Sequence, residues 1–134
     1  MPKPNTAYKR AEIQALREGE LQTYLPQKNA IILTGCFAVE RKNPDAPYVI
    51  QAGKLPKVAK KADLLAAQPE TVFPVFLRKS PTTTNYYFVG DFRCIRQSKS
   101  RREIAQAEAK SGHYGELSCI LNLEAVGEVF TPGF

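Results

Sequence analysis

Apolar and polar positions recur along this chain with two periods, near 3.6 and near 2, which divide it into helices and strands. Ala7, Ala11 and Ala15, with Ile13 and Leu16, form a modest helical stripe that leaves Lys9, Arg10, Glu12 and Arg17 outside it. This predicts a helix over 6–18, ended by Gly19. The nearly continuous apolar run 30–37 predicts a buried strand, in which Gly35 marks a bulge or a close backbone approach. The polar stretch 40–47 carries two prolines and reads as a loop; Tyr48–Gln51 follows as a short strand closed by Gly53. Pro56 suits the first turn of a second helix, reaching about Gln68. Val58, Ala62 and Leu65 make one stripe of that helix and Lys57, Lys60 and Lys61 another.

Val72–Leu77 is a further strand, and Pro74 assigns it to an edge or a bulged position. Residues 80–84 form a hairpin connection into Asn85–Arg96, NYYFVGDFRCIR, a long strand bent at Gly90. Its even positions Tyr86, Phe88, Phe92 and Cys94 make a core face, and Tyr87, Val89, Asp91 and Arg93 share the other face if Gly90 introduces no bulge. A bulge would reverse the assignment after Gly90, because one inserted residue flips the alternation. Ser100-Arg-Arg-Glu103 is a capping box that opens a third helix, with Gly112 as its stop. Leu117, Cys119, Leu121 and Leu123 then alternate with polar residues in a half-buried final strand. The sum is an α+β chain: about three helices with a strongly bent mixed sheet or open pseudo-barrel. It reads as a single domain over 1–134, with a helical N-terminal extension at 1–26 and a core at about 30–126.

Composition narrows the function classes. With 134 residues, 43% hydrophobic and 24% charged, the chain is an ordinary one-domain globular sequence. It shows no membrane-length apolar run and no signal-peptide core near the start, so a cytoplasmic location is the expectation. Cys36, Cys94 and Cys119 are widely spaced, with no CxxC, which argues for core residues over a disulfide framework or a zinc site. His113 is the only histidine and sits in a turn-like Gly-His-Tyr. No nucleophile elbow and no metal spacing are present, so catalytic residues, metals and cofactors are all expected to be none. Glu40-Arg41-Lys42 has a nuclease-like E-x-K shape, but it lies in the proline-containing loop and lacks the preceding lone acid.

The net charge of +6 is unevenly placed. Lys54, Lys57, Lys60 and Lys61 cluster at the start of the second helix, where free backbone amides favour a phosphate. The Walker spacing is absent, so GKLPK is not a P-loop. Arg93, Arg96, Lys99, Arg101 and Arg102 follow directly on aromatic strand residues, a pattern of backbone contact beside base stacking. Two arginines in the first turn of the third helix oppose its dipole, which an anion bound there would explain. Asp91 is the only acid between Arg78 and Arg102. Its carboxylate can accept from an exocyclic amine, with Tyr48 and Tyr87 stacking on the base and Gln51 beside them. Alternatively it pairs with Arg93 or Arg96 and is structural. The bland reading of the lysine helix and the arginine run is a solvated charged face.

The order strand, short strand, Gly-Lys-Leu-Pro-Lys helix, strand, hairpin and YYFVGDFRC resembles the PUA-like superfamily over about 30–126. Within it, Tyr87–Cys94 and PDAPYVIQAGKLPK are similar to segments of the SRA-like modified-base readers found with restriction systems. The resemblance implies a pseudo-barrel whose basic concave face accepts an extruded or modified base from duplex DNA. Tyr48, Gln51, Tyr87 and Asp91 would then contact the base. Lys54, Lys57, Lys60, Lys61, Arg93, Arg96, Lys99, Arg101 and Arg102 would contact phosphates. Binding without cutting is expected, with a separate effector or nuclease as a partner. The alternatives are an RNA-binding PUA-like module, a small nucleotide-acting enzyme with Asp91 as general base, and an adaptor that meets an acidic protein.

Overall fold

The structure, a computed structural model, describes residues 2–134. In chain order the elements are α1 (Arg10–Arg17), β1 (Gln27–Lys28), β2 (Ile31–Ile32), β3 (Gly35–Ala38), β4 (Val49–Gly53), α2 (Pro56–Ala66), β5 (Phe73–Arg78), β6 (Tyr86–Ser98), α3 (Arg101–Ser111) and β7 (Leu117–Ala125). The fold is α+β. Five strands form a mixed sheet in the order β3-β5-β6-β7-β4, and β1 and β2 form a separate two-stranded sheet. Only β3 and β5 run parallel. The sheet is bent rather than closed into a barrel: β3 and β4 are its two edges, and register shifts interrupt three of its pairings.

β6 is the spine. Its first half pairs with β5, Tyr86 opposite Arg78 through Phe92 opposite Phe73. Its second half pairs with β7, Phe92 opposite Ala125 through Ser98 opposite Ile120. The bulge at Gly90 is present: Val75 faces Gly90 and Phe76 faces Phe88, so Val89 is the inserted residue. The alternation flips there. Tyr86 and Phe88 join Ile13, Cys36 and Phe76 in a small core under α1. Val89, Phe92 and Cys94 join the main core, with Phe37, Phe73, Ile50 and Leu121, beneath α2. A third cluster, Ala107, Leu117 and Ile120, seats α3 beyond it. Phe37, Phe73, Phe76 and Phe92 are all fully buried, and each would cost roughly 3–5 kcal/mol as alanine.

Several expectations need correcting. The predicted strand 30–37 is broken in two: Asn29 and Ala30 both take positive φ, 53° and 65°, and turn β1 back onto β2 before β3 starts at Gly35. Gly35 does mark a close approach, since a Cβ there would lie 2.8 Å from the Phe37 ring. The first helix starts at Arg10 rather than near Thr6, because Tyr8 instead forms an antiparallel bridge to Tyr86. β5 is an interior strand, so of the two positions Pro74 suggested it is the bulged one, next to the register shift between Val75 and Phe76, and not the edge. Its pairing with β3 begins only at Val75, so the missing N–H falls where no neighbour needs it. The capping box of α3 is half made: the Ser100 hydroxyl accepts from the Glu103 N–H at 3.4 Å, while the Glu103 carboxylate turns elsewhere. The N-terminal segment is packed onto the rest of the chain, with Ile13 and Leu25 fully buried.

Candidate nucleic-acid interface

α2 carries its lysines as its amphipathic pattern requires, because Ala62 and Leu65 hold the opposite stripe in the core. Lys54, Lys57 and Lys60 are exposed and belong to no ion pair among the described residues. Lys61 departs from the expected phosphate role. It turns inward, donating to the Glu20 carboxylate at 2.5 Å and to the Leu25 carbonyl at 2.9 Å. Burial opposes ionisation of Glu20, but Lys61 and the Gln27 N–H outweigh it and lower its pKa to about 2.

Asp63, on the exposed side of α2, accepts from the Gln97 amide at 2.8 Å and pairs with Lys99 at 3.3 Å. These contacts hold α2 against the end of β6, where α3 begins with Arg101 and Arg102. Both arginines are exposed and in no ion pair among the described residues. α2 and α3 nevertheless pack on opposite faces of the sheet, α2 against Ile50, Cys119 and Leu121 and α3 against Val49 and Ile120, so the lysine face and the first turn of α3 approach each other only around the end of β6. The strand cations are otherwise engaged, contrary to expectation. Arg93 pairs with Glu124 at 3.3 Å, and Arg96 forks onto Glu103 at 2.7 and 2.8 Å. The Arg96 fork, helped by the Ser98 hydroxyl, lowers the Glu103 pKa to about 2.

The four base-contacting candidates do not converge. Tyr48 lies on the main-core side, its ring edge-on to Phe92 at 5.8 Å, and is about half exposed. Asp91 lies opposite Pro74, which alternates with the core residues Phe73 and Val75, so it points to the other side of the sheet. Its backbone carbonyl accepts from Val126, and its carboxylate makes neither a hydrogen bond nor an ion pair among the described residues. The paired alternative for Asp91 is therefore not realised either. Tyr87 is covered by Phe134 at 6.0 Å. Gln51 uses its amide internally: Nε2 donates to the Ala107 carbonyl at 3.0 Å and Oε1 accepts from the Ser111 hydroxyl at 2.6 Å. It fastens β4 to α3.

The remaining chemistry-bearing residues are structural. All three cysteines are buried and free; burial pushes the Cys36 thiol up to about 12 and raises that of Cys94. His113 bridges the Glu116 carboxylate at 2.6 Å and the Arg41 carbonyl. Among the described residues no group of acids, cysteines and histidine is placed to hold a metal, and no helix is long and apolar enough to cross a membrane. Sequence reasoning missed a cavity of about 580 Å³ elsewhere, walled in part by Lys9, Arg10, Arg78 and Tyr86. Its residues come from distant segments, and no local pattern joins them.

No protein-family model, curated protein or solved structure matches this chain. Fold and site define it as a small α+β domain with two groups of cations that are unpaired among the described residues, Lys54, Lys57 and Lys60 at α2 and Arg101 and Arg102 at the start of α3.

Proposed function

We propose that this chain is a nucleic-acid-binding module, with duplex DNA its favoured ligand, which grips the phosphate backbone through Lys54, Lys57, Lys60, Arg101 and Arg102. One observation carries this reading. These five side chains are exposed and unpaired among the described residues, on the two helices that flank the end of β6, while Lys61, Arg93, Arg96 and Lys99 are each held by an acid. The start of α2 adds only charge: its first turn holds no acid, while Pro56 has no N–H and the Lys54, Val58 and Ala59 N–H groups already donate to backbone carbonyls. The resemblance of Tyr87–Cys94 and PDAPYVIQAGKLPK to the SRA-like readers of duplex DNA favours DNA over the RNA bound by other PUA-like modules. Because Tyr48, Gln51, Tyr87 and Asp91 share no pocket, the proposal is of backbone contact and does not include an extruded base.

The test is fluorescence anisotropy with labelled duplex DNA and single-stranded RNA across a salt series. Duplex affinity is expected to fall on a log–log plot with a slope of about −0.9 for each phosphate neutralised. Lys57→Ala and Arg101→Ala should each flatten that slope by about 0.9, whereas Arg93→Ala, which removes a cation already paired, leaves it unchanged. A salt-independent response overturns the proposal. Tighter binding of the RNA, with the same two variants weakening it, assigns the surface to RNA instead.

A further inference from the structure

The cavity of about 580 Å³ lies between the start of α1, the 21–24 segment and the β5–β6 hairpin, far in sequence from the lysine surface. Three cations wall it, and neutral oxygens alone hold them. Lys9 Nζ donates to Thr84 Oγ1 at 3.0 Å and to Asn85 Oδ1 at 2.5 Å. Arg10 Nη2 donates to the carbonyls of Glu20 and Thr23, at 2.8 and 3.2 Å. Arg78 Nη1 donates to the Thr83 carbonyl at 3.3 Å, with its guanidinium 5.3 Å from the centroid of the Tyr86 ring. No carboxylate lines the space. The acids on the framing chain are committed elsewhere: Glu12 to the Lys9 N–H, Glu18 to Lys28, and Glu20 to Lys61 and the Gln27 N–H.

Two buried donors, Arg10 Nη1 and Arg78 Nε, have no hydrogen-bond partner among the described residues. Buried guanidinium donors are normally satisfied, and converging cations without a counter-charge are costly. An anion with several acceptor oxygens in the cavity supplies the missing counter-charge to the three cations that wall it. A phosphomonoester carries about 1.5–2 negative charges and three such oxygens. The cavity is also larger than phosphate alone needs; it falls in the usual range of small-molecule sites, and Leu21, Tyr24 and Tyr86 give it an apolar wall. The Cys36 thiol that reaches the cavity is held protonated by burial, so nothing here points to nucleophilic chemistry.

We infer that this cavity is a binding site for a terminal phosphate group carried on an organic body, and that Arg10, Arg78 and Lys9 clamp the phosphate. The body would lie along the tyrosines. Two sources supply this chemistry, a free mononucleotide and the phosphorylated end of a nucleic-acid strand. The probes are therefore inorganic phosphate, adenosine 5′-monophosphate with adenosine as its control, and a short oligonucleotide with and without a 5′-phosphate, all titrated calorimetrically into the full chain. Each phosphorylated probe should bind better than its unphosphorylated counterpart. Arg78→Met and Arg10→Gln should each weaken the phosphorylated probes by roughly ten- to a hundredfold. Should either arginine variant unfold, Lys9→Ala, at an exposed side chain, carries the same prediction with a smaller loss. Lys57→Ala, on the α2 surface, should leave adenosine monophosphate affinity unchanged. The probe whose affinity gains more from its phosphate identifies the source. The inference is overturned by equal binding with and without the phosphate, by binding the cavity variants leave intact, or by a loss of mononucleotide affinity in Lys57→Ala.

Discussion

Gly90 decides how the longest strand divides its side chains, and only glycine fits there. Its φ is +132°, and a Cβ would lie 2.7 Å from the Glu128 carbonyl oxygen. That oxygen belongs to a segment bonded to β6 on both sides, through Val126 N–H to the Asp91 carbonyl and Phe130 N–H to the Val89 carbonyl. The backbone therefore has little room to yield. Gly90→Ala should cost about 1–3 kcal/mol or more in urea unfolding. Gly112→Ala, at φ +83° with nothing within 4 Å of the added Cβ, should cost only about 1 kcal/mol. Equal losses would show that the contact with Glu128 is relieved without strain. The glycine was legible in the sequence as a turning point, but its direction was not. Tyr86, Phe88, Phe92 and Cys94 are buried as their alternation predicts, yet the first two enter one core and the last two another on the opposite face. A chain with apolar layers on both faces of its sheet hides a register flip from pattern reading. The proposed grouping of Tyr87, Asp91 and Tyr48 failed for that reason.

The same contrast holds for elements. The second and third helices were readable because Pro56 and Gly112 punctuate them, and Gly112 does end α3 in the left-handed conformation at φ 83°. The β1–β2 turn was not readable, since Ala30 at φ 65° carries no turn signature. At the α3 start the two arginines suggested an anion. The acid of that turn, Glu103, does not meet them: it is held by Arg96 from β6 and the Ser98 hydroxyl, which leaves Arg101 and Arg102 unpaired among the described residues. A pH prediction follows. The folded pKa of Glu103 is about 2, below its ordinary 4.5, so the contribution of this contact is complete above about pH 4.5. It is lost as pH falls towards 2. Glu103→Gln should accordingly flatten the decline of the thermal midpoint between about pH 4.5 and 2, leaving the part due to Glu20, whose pKa is lowered in the same sense. A decline identical to that of the parent chain would mean that the Arg96 contact is too well solvated to couple to folding.

For the whole molecule the unforeseen contributor is the C-terminal segment beyond β7. Its sequence, GEVFTPGF, has neither alternation nor helical spacing, and pattern reading stops short of it. Its role comes from a mismatch of lengths. β6 runs from Tyr86 to Ser98, but β7 pairs with it only from Phe92 onward, which leaves one edge of the first half without a strand. Tyr8 covers that edge at Tyr86, exchanging two backbone hydrogen bonds of 2.8 Å. The tail covers the rest through Val126 and Phe130, at 2.8 and 2.9 Å, with Phe130 5.8 Å from the Phe88 ring and Phe134 against Tyr87. Deleting 127–134 removes the Phe130 hydrogen bond and bares an edge flanked by aromatics. The loss should be about 1–3 kcal/mol, from a partly buried aromatic and a backbone hydrogen bond together. An uncovered edge is also a template for a second chain, so the truncated protein should associate as its concentration rises in size-exclusion chromatography. Phe130→Ala separates the two effects: it gives up the packing on Phe88 but keeps the backbone bond, and should be destabilised yet monomeric. Association of both proteins alike would place the cause in the exposed aromatic surface. A truncated chain that stayed monomeric at full stability would show that β6 needs no cover.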